Sequence, residues 1–378
     1  MTGAGSVGVG PAAPDLAARL RGIAAAATVS AGQLREVAAA LFAALGLSSG
    51  DAANAADAAL YAQLAGSDSH GLVHLPLYAT GLLDRTIAAR PDLKISRNGT
   101  CTACIDAGRG LGLVVSHRAM TLAVELAGQH GLGAVAVCNS SHFGAAGYYG
   151  DLAARSGMIG IAVSNSAPAM APTNGVAALL GTNPIGVGVP LGSAAPMVLD
   201  MATATVARSR IRQMLAAGQT TIPEGWAVDA DGAPTADAAA AIAGSVLPIG
   251  GPKGFGLALL VEFLSSALAD GPPGFEITYE NVVKRPSGIG HFFLAIDPAS
   301  FAGAEPFARR AGHIAEVIET SQGRTGAPPP RLPGRRSDAT RSASLAGGIA
   351  PGPNLQAALR QTAELLERRH DDIARAVA

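Results

Sequence analysis

The sequence is short of charge and nearly without lysine. Charged residues make up 15% of its 378 positions, Lys94, Lys253 and Lys284 are its lysines, and the formal net charge is -1. Arginine therefore carries nearly all the positive charge. A nucleic-acid binder presents a basic stripe, and this balance speaks against one. Disorder needs low hydrophobicity and high charge, whereas 49% of these residues are hydrophobic. Cysteine is scarce too. Cys101 and Cys104 have the CxxC spacing, but no second pair completes a zinc site. The alternating stretch around them reads as a strand of small buried residues, and we expect no metal. With no disulfide framework and no export signal, a reducing cytoplasm is expected. No apolar run approaches about 20 residues, so no membrane span is expected.

What remains is a chain rich in Ala and Gly, long enough for a large core and two or three lobes. Residues 1–27 read as a flexible or partly helical extension. Ser30 and Gln33 form a capping box opening a helix to about Leu45, and Ser48 opens a second through Leu64. A further helix is expected from Pro76 to Leu83. From Gly99 strands and helices alternate, which is α/β organisation. Helices are expected at Leu113–Gln129, Val206–Ala217, Gly254–Leu268 and Phe301–Thr320, and a strand at His291–Asp297. This gives a helical lobe over 28–100, completed by a C-terminal helix over 354–378. An α/β region spans 101–320, and a Pro/Arg/Gly-rich loop spans 321–353.

Gly108, Gly110 and Gly112 stand where a Rossmann loop would stand, between a strand and a helix. The fingerprint needs its third glycine one position later, where Leu113 stands, and no acid ends a following strand. These glycines read as a tight turn. Three other segments are richer in chemistry. The first runs from Ser67 to Tyr78; if helical, it places His70, His74 and Tyr78 on one face. The second is Val137–Tyr149, where a strand end meets an Asn139-Ser-Ser-His142 cluster and a helix start. An imidazole there suits general acid/base work; the cluster reads equally as a helix cap with a bystander histidine. The third, Val163–Gly175 with Leu180–Ile185, is full of backbone and amide donors that suit phosphate or carboxamide, although asparagine and proline also simply build turns. Lys253, at a glycine-flanked helix start, opposes the helix dipole unless an anion binds there; it reads equally as a solvated surface lysine.

Together, Ser69-His-Gly71, Asn139-Ser-Ser-His-Phe-Gly144, Leu180-Gly-Thr-Asn-Pro184, Leu199-Asp-Met-Ala-Thr203, Gly225-Trp-Ala-Val-Asp229, Leu247-Pro-Ile-Gly-Gly251 with Lys253-Gly254, and Leu332-Pro-Gly334 resemble the malate/L-lactate dehydrogenase-like family, in family order from about residue 30 to 370. The resemblance implies a non-Rossmann three-layer dinucleotide-binding fold of the sulfolactate dehydrogenase-like type, a small N-terminal helical lobe, and a homodimer. It implies NAD(P)H-linked reduction of a 2-oxo acid or cyclic imino acid, or oxidation of a 2-hydroxy acid. His142 would be the general acid/base, with His70, Ser69 and Tyr78 assisting. His74, Asn139, Thr182 and Asn183 would face the substrate. Ser166, Pro172, Asp200, Met201, Ala202, Arg210, Lys253, Gly334 and Arg335 would face the cofactor.

The chain departs from the family pattern at three places. His74 replaces an arginine that grips the substrate carboxylate, and imidazole does not substitute for a bidentate guanidinium. Ser209-Arg210 replaces Gly-Lys, and Arg335 replaces a glutamate. Arg208, Arg210 and Arg335 tilt the expectation toward NADPH over NADH. Two alternatives stand beside the main reading: an imine or ketone reductase whose substrate lacks a free carboxylate, and a binding protein without redox turnover.

Overall fold

The computed structural model describes residues 13–67, 69–278 and 283–377. Its first part is helical: α1 (Ala13–Ala25), α2 (Ala31–Ala44), α3 (Ser49–Leu64) and α4 (Leu75–Leu83). Ser30 Oγ accepts the Gln33 N–H at 3.2 Å while Gln33 Oε1 accepts the Ser30 N–H at 3.1 Å, the reciprocal capping box that starts α2. Leu34, Ala38, Leu41 and Phe42, at helical spacing, are completely buried. Residues 1–12 of the expected flexible extension lie outside the described residues. The next stretch is a helix: α1 buries Leu16 and Leu20 in the core of this lobe. Apolar residues four apart outweigh the loose look of a Gly/Ala/Pro-rich terminus.

The α/β part follows with β1 (Lys94–Ser96), β2 (Thr102–Asp106), α5 (Gly112–His130), β3 (Leu132–Ser140), α6 (Ala146–Arg155), β4 (Ile159–Ser164), β5 (Ile185–Leu191) and β6 (Ala194–Met201). Next come α7 (Arg208–Ala216), β7 (Ala227–Val228), β8 (Pro234–Thr235), α8 (Ala238–Ala243), β9 (Ser245–Val246), α9 (Pro252–Ser265), β10 (Ile289–Ile296), α10 (Ala304–Glu319), α11 (Arg335–Gly347) and α12 (Pro353–Val377). The main sheet has the order β1-β2-β3-β10-β4-β5-β6, and β7, β8 and β9 form a small second sheet. In the main sheet only β2 and β3 are parallel, joined over α5; the late strand β10 inserts antiparallel between β3 and β4. A mostly antiparallel sheet has no row of parallel strand ends, so the Rossmann arrangement is absent.

Helices cover both faces of the sheet. Gly133, Gly186 and Gly188 point toward α5 and α6: a Cβ on Gly188 would lie 2.0 Å from the Gly150 carbonyl oxygen, so glycine alone lets α6 come this close. On the opposite face Gly290 meets the backbone of α9, and Leu191 packs on α10. The result is three layers. α12 returns to the helical lobe, where Leu355, Leu359 and Leu366 are buried beside α1 and α4. The 321–353 stretch, expected as a loop, contains α11; its helix follows Gly334, whose φ of 87° sets the turn before it.

The apolar stretch Pro252–Ala269 is long and apolar enough to cross a membrane by length and composition, contrary to the expectation that no run would qualify. In this fold α9 packs on β3, β4 and β10 with one side. The other side leaves Leu257, Leu260 and Phe263 exposed, with Leu268 just beyond.

Candidate active site

A cleft of about 680 Å³ opens between the end of α3, the loop before α4, the β3–α6 junction, the end of β6 and the start of α11. That volume suits a small-molecule ligand. His142 reaches it from the junction after β3. Ser141 holds the junction in place: its Oγ accepts the Gly112 N–H at 2.9 Å and donates to the Gly110 carbonyl at 3.2 Å. The glycines that miss the dinucleotide fingerprint therefore dock this strand end. A Cβ on Gly112 would lie 2.1 Å from the Ser141 carbonyl oxygen.

His70 and His74 arrive from the other lobe. The stretch from His70 to Tyr78 is not one helix: Gly71 has φ 101°, Leu72–His74 is a tighter turn, and the helix expected from Pro76 begins at Leu75. The rings still converge. His74 and His142 have ring centroids 4.8 Å apart, His70 and His142 6.1 Å, and His70 and His74 5.7 Å. Tyr78, 1% exposed, stands behind them with its hydroxyl 2.8 Å from His142 Nδ1. The Gly144 N–H also points at Nδ1, at 3.3 Å. A backbone N–H only donates, so Nδ1 is an acceptor, Tyr78 donates to it, and the ring proton sits on Nε2.

The three imidazoles are neutral near pH 7. Desolvation holds His142 well below the usual histidine range, with His74 and His70 adding to it. Desolvation, with His70 next to it adding to the effect, lowers His74 to about 4. His70 is also lowered by desolvation, with the Asp200 carboxylate pulling the other way. Asp200, at the end of β6, takes a hydrogen bond from the Gly147 N–H at the start of α6, while enclosure in the cleft raises its carboxyl. Ser69 Oγ is 3.0 Å from His70 Nδ1.

Ser69, His70, His142, Ser166, Thr182, Asp200, Met201, Ala202 and Gly334 line the cleft; Tyr78 and His74 stand behind His142. The other expected residues lie away from the cleft lining. Asn139, with φ 56°, donates to Asp106 Oδ1 at 3.1 Å and so fixes the strand end. Asn183 is fully buried and donates to Glu262 Oε2 at 2.9 Å. Asn165 and the Gly274 N–H bind the other oxygen of that carboxylate, so these amides satisfy a buried acid of α9. Arg335 pairs with Glu319 Oε1 at 2.7 Å, and Arg208 donates to the Ile242 carbonyl. Pro172, Arg210 and Lys253 do not line the cleft, and Lys253 is exposed at the start of α9. The arginines that tilted the expectation toward NADPH are thus engaged or placed elsewhere.

Four arginines not anticipated line the cleft instead: Arg155, Arg331, Arg336 and Arg341. Arg155 pairs with Asp151 at 2.9 Å and Arg341 with Asp338 at 3.6 Å, and Arg341 also stacks on Tyr61. Among the described residues Arg331 and Arg336 have no ion pair. They flank Gly334 at the N-terminus of α11, where the helix dipole favours anions. The cleft therefore has a neutral imidazole end and an arginine-rich end.

The sequence profile of the malate/L-lactate dehydrogenase family matches residues 29–360. The chain is 43% identical over 272 residues to the L-sulfolactate dehydrogenase of Methanocaldococcus jannaschii, 72% of this chain and 78% of that protein. A solved structure of sulfolactate dehydrogenase from that organism superposes with a TM-score of 0.84 at 37% identity, covering 91% of this chain and 99% of that one. The chain is also similar to the (2R)-3-sulfolactate dehydrogenase (NADP(+)) of Chromohalobacter salexigens, 37% identical over 79% of this chain and 87% of that protein. The ureidoglycolate dehydrogenase (NAD(+)) of Escherichia coli strain K12 is 31% identical over 75% of this chain and 80% of that protein.

Proposed function

The chain belongs to the malate/L-lactate dehydrogenase family, and from that premise we propose that it is an NAD(P)H-dependent oxidoreductase in which His142 is the general acid/base. Its substrate is a small 2-oxo or 2-hydroxy acid, or a cyclic imino acid. The observation that carries this reading is His142 itself: a ring on the cleft wall whose Nδ1 is held 2.8 Å from the hydroxyl of a buried tyrosine.

The bound nicotinamide cofactor supplies or takes up a hydride at the substrate carbon. Arg331, Arg336 and the start of α11 would hold its diphosphate, and Asp200–Ala202 would line its path along the end of β6. The uncommitted guanidiniums also favour the extra phosphate of NADPH. In reduction, the Nε2–H of a neutral His142 donates to the substrate oxygen and stabilises the charge that grows there. The Nε2 proton then passes to the alkoxide and Nδ1 takes the Tyr78 proton; after product leaves, Nε2 takes a proton from water in the cleft and Nδ1 returns its own to the buried phenolate. An alkoxide is a stronger base than a phenolate, so the relay runs downhill.

A second reading has its own support. The charges that bear most on the three imidazoles are Asp200 and one another, and His74, lowered to about 4, is no cation. A substrate without a free carboxylate fits such a wall better than a carboxylic acid does. The exposed apolar side of α9 is assigned to a second copy of the chain, as a homodimer.

The test is titration with NADPH and NADH, followed by calorimetry and by Trp226 fluorescence, then turnover on a panel of oxo acids, imino acids and uncharged imines. We expect saturable binding, tighter for NADPH, and turnover lost in His142→Ala with cofactor binding retained. Binding of neither cofactor refutes the redox reading; binding without turnover across the panel favours a binding protein.

A further inference from the structure

No metal is expected from the sequence, yet the fold brings three imidazoles from two lobes together. We propose that His70, His74 and His142 form a site for a borderline divalent cation, with Zn²⁺ as the ion it fits, at the wall of the cleft. One ring nitrogen from each lies within 4.8 Å of the other two. In a tetrahedral zinc site with bonds of about 2.0–2.1 Å, neighbouring nitrogens stand about 3.3 Å apart. The widest pair must therefore close by about 1.5 Å. His70 and His74 sit on a loop and a single tight turn, where rotation about the side-chain bonds supplies that movement.

Three further features support the assignment. Each ring is steadied by an oxygen partner: His70 Nδ1 by Ser69 Oγ at 3.0 Å, His142 Nδ1 by the Tyr78 hydroxyl at 2.8 Å, and His74 by the Ser69 backbone. Histidine ligands are ordinarily oriented by such outer partners. The donor set is all imidazole, which selects zinc, nickel, copper or cobalt over magnesium or calcium. His70 and His142 line the cleft, so a fourth position faces the space where substrate enters, and the Asp200 carboxylate near His70 offsets the added charge. Three protein nitrogens with an open fourth position is the arrangement of reactive zinc sites rather than structural ones.

Binding through Nε2 of His142 moves its ring proton to Nδ1; Tyr78 turns from donor to acceptor, and the long Gly144 N–H contact at 3.3 Å is given up. A ring so occupied has no Nε2 proton for a substrate, so bound Zn²⁺ stops proton transfer. This consequence rests on the proposed role of His142; the binding site does not.

The full chain, stripped with a chelator, is titrated with Co²⁺ and read by the visible absorption of four-coordinate cobalt. Zn²⁺ then displaces it. One ion per chain is expected. His74→Gln, which removes a ligand, weakens binding at least about 100-fold, and Tyr78→Phe, which removes an outer partner, weakens it about 10-fold. His313→Ala, at an exposed histidine outside the cluster, leaves binding unchanged. His70→Gln serves in place of His74→Gln if circular dichroism shows that variant unfolded. No saturable binding below about 1 mM, a millimolar affinity being worth only about 4 kcal/mol, or equal binding by the ligand variant and the parent, overturns the site. A chain that binds NADPH but not Co²⁺ refutes the metal site alone, and one that binds Co²⁺ but neither nucleotide refutes the redox reading alone.

Discussion

His291 on β10 gives a prediction whose size follows from its surroundings. It is completely buried, its ring lies parallel to Phe143 at 4.7 Å, and Nδ1 is 2.9 Å from Ser164 Oγ. Desolvation lowers it from 6.5 to about 3, the Ser141 backbone opposing slightly. Above pH 6.5 the ring is neutral folded or unfolded and costs nothing. As the pH falls from 6.5 toward about 3, the unfolded chain takes up a proton that the folded one refuses, so stability is lost. One unit is worth about 1.4 kcal/mol, so by pH 5 this residue alone removes about 2 kcal/mol. Carboxylates with lowered values act mostly below this window. His70, His74 and His142, lowered by desolvation as well, add to the loss with the same sign. Urea midpoints read by Trp226 fluorescence at fixed protein concentration should fall between pH 7 and 5. In His291→Phe, which keeps a ring against Phe143, the slope should be shallower by about 1 kcal/mol per pH unit. Equal slopes in the variant and the parent would show that His291 ionises freely in the folded protein and refute the reasoning.

Three substitutions test other parts of the reading. Tyr78→Phe keeps the buried ring but removes the hydroxyl at His142 Nδ1 and with it the relay, so turnover near pH 7 should fall at least about 100-fold, with cofactor dissociation constants unchanged in calorimetry. Arg336→Gln should weaken NADPH about 5- to 10-fold at low salt and less at high salt, leaving turnover at saturation intact; equal affinity would place the phosphates elsewhere. Phe263→Glu puts a charge on the most exposed large apolar side chain of α9, 59% accessible. Sedimentation should show dimer in the parent and monomer in the variant, and a monomeric parent would remove the proposed role of that face.

Local patterns made the helical lobe readable: caps at Ser30 and Ser48, and apolar residues at helical spacing through α2. The cleft was readable only in part. His142 stood out because a polar cluster followed a strand, but its meeting with His74 joins residues far apart in the chain, which no local pattern encodes. Asn183 was misread for a physical reason. An amide in a turn looks like a ligand donor until Glu262, from a helix far along the chain, is seen to need it. Two of the cleft arginines were missed because 321–353 looked structureless, so no face could be given to Arg331 or Arg336. Gly334 after Pro333 was the available signal, a turn immediately preceding a run that could be helical.

The neutral state of the imidazole cluster leads to a last prediction, about rate rather than stability. If His142 gave its proton as an imidazolium, reduction would need the charged ring. Turnover would then fall about tenfold per pH unit above its value, and desolvation holds that value well below 6.5. Such an enzyme would be nearly inactive at neutral pH. The relay works otherwise: the neutral ring already carries the Nε2 proton, and Tyr78 replaces it from behind, so no group of the pair has to be charged beforehand. Turnover of the reductive reaction at saturating substrate and cofactor should therefore be level from about pH 7 to pH 8.5, a range over which an imidazolium mechanism loses more than tenfold. Tyr78→Phe should abolish the plateau, because without the hydroxyl the ring can act only after taking up a proton, and the rate then falls as pH rises. A falling profile in the parent, unchanged in the variant, would show that Tyr78 only positions the ring and that the proton comes from elsewhere.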